Sequence, residues 1–381
     1  MDLRAHTILL CVAGSRAQGL HRAGSDVDVR GVAIPPARML HGFIDTFAQA
    51  DTADEMALYL DLLTPEERGV VAETKLDGSV YALSKFARLC ADSNPNLLET
   101  LFCREEEVRL CTPLGAELRA HRRLFLSQRA MHTYTGYALQ QLKRIRGHRH
   151  WLLNPPKAPP TRGEFGLPER TLIPRDQLAV AQDAVLKRLD EWNPDWGPLP
   201  HSEITRLQGQ LEGFLTDVLL AGESQWHRAA RSIGLDDNLI EVMDRERRYR
   251  GAQRGWEQYR SWKQSRNPAR AALEAAHGYD TKHGAHLVRL LRMGREILET
   301  GEVHVWRRER DAEELRAIRG GTWPYEELVA WAAGEAEALQ ELTRKGTLAL
   351  PKQPDADALD ALIVRLTEAS LRAAPPSERR R

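Results

Sequence analysis

The stretch Gly14-Ser15-Arg16-Ala17-Gln18-Gly19-Leu20-His21-Arg22-Ala23-Gly24-Ser25-Asp26-Val27-Asp28-Val29-Arg30-Gly31-Val32 decides how this chain is read. Before it lies Thr7-Ile8-Leu9-Leu10-Cys11-Val12-Ala13, a short run rich in branched residues and stopped by glycine, which predicts a buried strand. A second strand is predicted over Val27 to Ile34, entered through Asp26 and Asp28. Residues two apart on a strand share a face, so the two carboxylates stand side by side. Like charges that close repel one another, and a divalent cation relieves the repulsion. The Gly14-Ser15 turn leaving the first strand supplies backbone N–H groups and a hydroxyl suited to phosphate oxygens. Mg²⁺ is held by one or two carboxylates plus substrate phosphates, so the two halves predict a site for a nucleoside triphosphate and its metal. The stretch lacks the Gly-Lys-Ser/Thr ending of a Walker P-loop, which excludes that phosphate device.

Outward from this stretch, composition sets the frame. At 381 residues the chain is long enough for two domains, and 42% hydrophobic with 28% charged residues is ordinary for a globular protein. Lys+Arg 54 balance Asp+Glu 54, so a globally basic nucleic-acid binder is not indicated and any RNA contact must come from a local patch. No apolar stretch reaches membrane-spanning length and no signal-peptide pattern precedes the first strand, which predicts a cytoplasmic protein. The cysteines Cys11, Cys90, Cys103 and Cys111 lack CxxC spacing and are read as reduced, buried residues.

Along the chain, residues 1–118 read as a small α/β unit. Met39 to Asp54 carries no assignable pattern. A strand is predicted over Val70 to Tyr81, then a helix over Ala82 to Ala91, and a further helix opened by Asn94 as cap with Pro95 in its first turn. Leu97, Leu98, Leu101 and Phe102 fall at helical spacing there and mark it as a packing helix. Beyond His121 the strand signals fade. Helices are predicted over Arg129 to His150, Asp176 to Trp192, Ser202 to Leu220, Leu239 to Asn267, Arg270 to Glu299, Asp311 to Ile318, Tyr325 to Lys345 and Asp355 to Ala373. Trp151 to Pro174, with six prolines, reads as a loop, and 375–381 as a frayed tail.

The run Gly14-Ser15 through Ser25-Asp26-Val27-Asp28 resembles the GS…DxD signature of the DNA polymerase beta nucleotidyltransferase superfamily. Three further stretches resemble its RNA-ligase-associated branch, RlaP. They are Leu83-Ser84-Lys85-Phe86-Ala87-Arg88-Leu89 with Asn94-Pro95-Asn96-Leu97-Leu98-Glu99, then Gly136-Tyr137-Ala138-Leu139-Gln140-Gln141-Leu142-Lys143, then Gly278-Tyr279-Asp280-Thr281-Lys282-His283-Gly284-Ala285-His286-Leu287-Val288-Arg289-Leu290-Leu291. The resemblance reaches from the N-terminus to about Gly320. It implies nucleotidyl transfer, with Asp26 and Asp28 holding the triphosphate's Mg²⁺ (or Mn²⁺) and a third carboxylate completing the site on a neighbouring strand. Counting back from Lys85-Phe86, that third carboxylate is Asp77, with Glu73 as competitor in the same predicted strand. For this branch the resemblance also implies an RNA end as acceptor and an RNA ligase pathway partner.

Nucleotide contacts are expected from Gly14, Ser15, Arg16 and Ser25, with Arg22 in reach of phosphates and Arg30 as the countercharge to the aspartates. On a helix Tyr279, Lys282, His286 and Arg289 fall on one stripe, a candidate triphosphate clamp, with His283 beside it. Basic residues at the end of the Arg129 to His150 helix, with Trp151, and the run Arg245 to Lys263 with Tyr249, Trp256, Tyr259 and Trp262, have the composition of nucleic-acid contacts. The expected architecture is α+β: a mixed-sheet nucleotidyltransferase domain (1–118), a mainly helical domain (119–374) closing the nucleotide and acceptor cleft, and a flexible tail (375–381). The expected function is metal-dependent, template-independent transfer from a nucleoside triphosphate to a hydroxyl. Two rivals stay open: AMP transfer to a protein hydroxyl, and a non-catalytic RNA- or nucleotide-binding subunit.

Overall fold

Five strands form one mixed sheet: β1 (Thr7–Ala13), β2 (Asp28–Ala33), β3 (Gln49–Ala50), β4 (Asp77–Ala82) and β5 (Val108–Cys111). In this computed structural model, which describes residues 1–22, 24–74, 76–170, 234, 236–346, 348 and 350–373, their order is β3-β4-β2-β1-β5. The pair β2–β4 is parallel and the other neighbours are antiparallel. Every residue of β1 is buried. Leu9 and Cys11 enter one core and Leu10 the other, which explains why β1 is continuously apolar rather than alternating.

Around the sheet lie α1 (Leu3–His6), α2 (Gly14–Ala17), α3 (Ala37–His41), α4 (Ala53–Ala57), α5 (Pro65–Glu73), α6 (Leu83–Ala91), α7 (Pro95–Phe102) and α8 (Pro113–Ala120). The unassigned segment Met39 to Asp54 thus contains the end of α3, the short edge strand β3 and the start of α4. The strand expected over Val70 to Tyr81 is half helix: Val70, Val71, Ala72 and Glu73 close α5, and β4 starts only at Asp77. A capping box decides this. Thr64 accepts from the Glu67 N–H, the Glu67 side chain returns to the Thr64 N–H, and Pro65 occupies the first turn. Such a start outweighs the strand preference of one Val-Val pair. Glu73 therefore lies on an exposed helix end rather than on the strand beside Asp28. Asn94 caps α7 as expected, accepting from the Asn96 N–H.

The helical remainder comprises α9 (Arg129–Leu153), α10 (Asp237–Ser265), α11 (Pro268–His277), α12 (Thr281–Thr300), α13 (Ala312–Arg319), α14 (Tyr325–Arg344) and α15 (Ala356–Ala373). The helix α9 runs through Trp151 to Leu153, so the predicted loop begins three residues late. The single helix expected over Arg270 to Glu299 is two. Gly278 takes a left-handed φ of 72°, and Asp280 caps α12 by accepting from the N–H groups of Lys282 and His283. The helices expected at Asp176 to Trp192 and Ser202 to Leu220, and the tail from Pro375, lie outside the described residues.

The chain divides into two compact units, Met1–Leu153 with Asn267–Arg381, and Asn154–Arg266. The boundary expected after residue 118 falls inside the first. One core there runs from Leu9 of β1 and Leu98 of α7 through Tyr134 of α9 to Leu287 of α12 and Leu366 of α15, so sheet and helices cannot be separated without opening it. In the second unit Arg162 is ion-paired with Glu246 of α10 and Phe165 packs edge-on against Tyr249, 5.7 Å between ring centres. Cys11, Cys90 and Cys103 are buried, whereas Cys111, expected inside, is exposed at the end of the outer strand β5; all four are free thiols. Among the described residues no helix is long and apolar enough to cross a membrane.

Candidate active site

Gly14 follows β1 with φ 60°, and a Cβ built there would lie 2.5 Å from Oδ2 of Asp28. The Gly-Ser turn and the first residue of β2 therefore touch, which only glycine permits. Asp28 is partnered across the sheet by Ala13 on one side and by Asp77 of β4 on the other, in parallel register. Gly78, after Asp77, packs where a Cβ would collide with the Val29 carbonyl. This close approach explains an Asp-Gly pair that otherwise reads as a turn.

The Asp28 carboxyl is pushed above the usual carboxylate range, chiefly by burial, with Asp77 and Asp26 adding to the shift and Arg30 opposing it. Asp26 and Asp77 are thus both near enough to act on Asp28, and Arg30 is its countercharge. The three carboxylates are not equivalent. Asp26, two positions before β2, and Asp28 line a cavity of about 720 Å³, whereas Asp77 is not among its lining residues and accepts from the Gly78 N–H at 2.9 Å; Asp26 and Asp77 are both exposed.

The same cavity is lined by Gly14, Ser15 and Ser25, and across from the turn sequence by Lys282, His286 and Arg289 of α12. Ser25 Oγ accepts from the Arg22 N–H at 2.9 Å and holds the loop in shape. Arg16, expected to reach phosphate, is buried and spans from Glu66 to the Ser25 carbonyl; it pins the loop from behind, and Arg22 takes the place at the cavity. Tyr279, expected on the clamp stripe, lies in the break before α12. It is fully buried and donates to the Trp323 carbonyl at 2.8 Å.

Arg289 lines the cavity yet is held by the Glu99 carboxylate of α7 at 2.5 Å, and Gln18 donates to the same Glu99 at 2.8 Å. Its other Nη donates towards His286 Nδ1 at 3.3 Å, and burial beside Arg289 keeps the His286 imidazole well below the usual histidine range. The packing-helix reading of α7 missed Glu99. A lone acid in the apolar row Leu97-Leu98-Glu99-Thr100-Leu101 is the signal that a buried cation must answer it.

Sequence reasoning also missed Arg270 of α11 and Arg316 and Arg319 of α13, all cavity-lining. Seven Lys and Arg side chains line the cavity against two carboxylates. Lys282 and Arg319 are both held below their usual ranges, first by burial and then by neighbouring cations, Arg270 among them in each case. Lys282 is exposed and Arg319 half-buried, and like cations gathered at one cavity are stabilised by a polyanion.

Behind this wall His148, Asp280 and His283 bring one ligand-type atom each within 4.8 Å of one another. Asp280 Oδ2 is already ion-paired with Arg270, so the group reads as a buried charge network. Of the basic cluster ending α9, Arg149 donates to the Gly278 carbonyl at 2.8 Å and lies over the Tyr325 ring, while Lys143, Arg144, Arg146 and His150 are exposed. In α10 Tyr259 is buried between Trp256 and Trp262.

A mixed sheet whose Gly-Ser turn abuts an aspartate paired with a second acidic strand end is the arrangement implied by the resemblance to polymerase-beta-type nucleotidyltransferases. Residues 2–151, from α1 into α9, match the family model described as RlaP, RNA repair pathway DNA polymerase beta family. No curated protein and no solved structure matches the chain.

Proposed function

We propose that this protein is a metal-dependent, template-independent nucleotidyltransferase that adds a nucleotide from a nucleoside triphosphate to a hydroxyl, with an RNA end as acceptor. The observation that carries the reading is the contact of the Gly14 turn with Asp28 at the acidic corner of an otherwise cationic cavity. The acceptor rests on the family match over residues 2–151, since a site fixes reaction class better than substrate.

The donor set suits Mg²⁺ or Mn²⁺: three oxygen-bearing side chains, Asp26, Asp28 and Asp77, with ionisation of Asp28 disfavoured first by burial and further by its two acidic neighbours. A divalent ion held by Asp26, Asp28 and Asp77 would offset charge on the reacting phosphate and its attacking and leaving oxygens. Gly14 and Ser15 bind phosphate oxygens at the turn. As the acceptor oxygen bonds to the α-phosphorus, the bond to pyrophosphate breaks and Asp77, an exposed carboxylate at the start of β4, takes the hydroxyl proton. Lys282 stabilises the negative charge that gathers on the leaving group. Free thiols at all four cysteines fit a reducing cytoplasm, where an RNA ligase would act on the extended end.

Incubation with labelled triphosphates, Mg²⁺ and separate RNA and protein acceptors tests this directly. Label on RNA supports the reading. Label on protein replaces the acceptor by a protein hydroxyl, and triphosphate binding without label makes the chain a nucleotide-binding subunit.

A further inference from the structure

We propose that Arg270, Lys282 and Arg319 form a pyrophosphate-binding subsite that works without a divalent ion, and that Asp280 is the positioning residue that holds it together. This rests on the nucleotidyl-transfer reading, in which pyrophosphate is the leaving group.

Three helices contribute one cation each to the cavity: Arg270 from α11, Lys282 from α12 and Arg319 from α13. The three are tied together at one point. Asp280, fully buried at the head of α12, spends Oδ1 on the N–H groups of Lys282 and His283, at 3.1 and 3.2 Å. Its Oδ2 receives the Arg270 guanidinium, which also approaches Glu274 at 3.5 Å. The next residue, Thr281, donates its hydroxyl to the Arg319 carbonyl at 2.8 Å and so fixes α13 to the same spot. One carboxylate thus sets the place of two cavity cations and its neighbour sets the third.

The charge balance identifies the ligand class. Arg270 is answered by Asp280 and Glu274, but neither Lys282 nor Arg319 makes an ion pair among the described residues. Arg22, which acts repulsively on Arg319, adds a further cation, and its guanidinium donates to the Arg316 carbonyl at 3.3 Å. Lys282 is exposed and Arg319 half-buried, and like cations gathered at one cavity repel one another unless an equally concentrated anion joins them. Pyrophosphate carries its charge on two adjacent groups and matches such a cluster, whereas an RNA backbone spreads single charges along the strand. Lys282 also feels Asp26, and Asp28 feels Lys282, which sets the cluster next to the acidic corner where the leaving group separates.

The test is calorimetric titration of the full chain with inorganic pyrophosphate in EDTA, repeated with a short RNA oligonucleotide. Wild type should bind pyrophosphate, and Lys282→Gln and Arg319→Gln should each weaken it about tenfold or more, with Arg319→Lys recovering most of the loss. Asp280→Asn, which keeps the acceptor for the α12 N–H groups, should weaken pyrophosphate similarly while thermal unfolding of the variant stays cooperative. Absence of pyrophosphate binding by wild type, or unchanged affinity in Lys282→Gln and Arg319→Gln, overturns the subsite. Loss of RNA binding alone in those variants overturns it in favour of an RNA groove, and normal pyrophosphate binding by Asp280→Asn overturns the positioning role. Pyrophosphate binding with no nucleotide transfer to any acceptor leaves the subsite standing and removes the nucleotidyl-transfer reading instead.

Discussion

Glu99 and Arg289, separated by 190 positions in sequence, meet at 2.5 Å as a buried ion pair between α7 and α12. Gln18, next to the Gly-Ser turn, joins the same carboxylate, so the turn, the apolar helix and the cavity wall share one polar anchor. Removing one partner of such a pair strands the other charge. Glu99→Ala should therefore destabilise the protein by about 3 kcal/mol or more, read in denaturant unfolding. The double replacement Glu99→Leu with Arg289→Met should lose much less. Equal losses would show that the pair is not coupled.

Asp28→Asn should reduce nucleotide transfer by about 100-fold or more, as loss of a group that balances transition-state charge does. The same change should raise the melting temperature of the metal-free protein at pH 7. Because the folded-state pKa of Asp28 is raised, its ionised form at neutral pH opposes folding, and wild type regains stability as pH falls towards that pKa. The gain in the Asn variant should accordingly shrink in acid. A lower melting temperature at pH 7 would contradict an Asp28 charge held at a cost in the folded protein.

Gly14→Ala tests the contact between turn and carboxylate. The substitution strains a φ of 60°, at about 1 kcal/mol or more, and drives a methyl group into Asp28 Oδ2. Transfer should fall far more than stability, since Asp28 must move away from the turn. A variant with wild-type turnover would show that this proximity is incidental.

His283 supplies a pH signature. Burial holds its imidazole down at about 4, with Arg270, His148 and Arg144 adding to the shift and Asp280 opposing it. The unfolded residue titrates near its ordinary value of 6.5, so the protein binds more protons when unfolded between those limits. Stability present above pH 6.5 should be lost progressively as pH falls towards 4. His283→Asn should flatten that slope in unfolding measured from pH 7 to 4.5, and an unchanged slope would assign the loss to other groups.

Tyr279→Phe should leave triphosphate affinity within about twofold and cost about 1 kcal/mol of stability for the lost bond to the Trp323 carbonyl. A marked loss of nucleotide affinity at constant stability would return Tyr279 to the clamp.

Local chemistry determined a good part of this protein from sequence alone. The apolar run Thr7–Ala13 stopped by glycine, the Asp-x-Asp entry to β2 and the Asn94-Pro95 helix start are each legible because strand alternation, turn residues and caps act over a few neighbours. The capping box Thr64–Glu67 and the cap at Asp280 were local as well and were overshadowed, the first by Val70-Val71 and the second by the basic stripe that follows it. Tertiary structure alone decided the rest. Only the parallel register of β2 and β4 sets Asp77 beside Asp28, and only packing shows that Arg289 answers Glu99 and Arg16 answers the loop. Lys282, by contrast, keeps company with Arg270 and Arg319. A side chain's type follows from sequence, but its charge environment is a sum over neighbours that folding brings from three helices, and no spacing rule contains that sum.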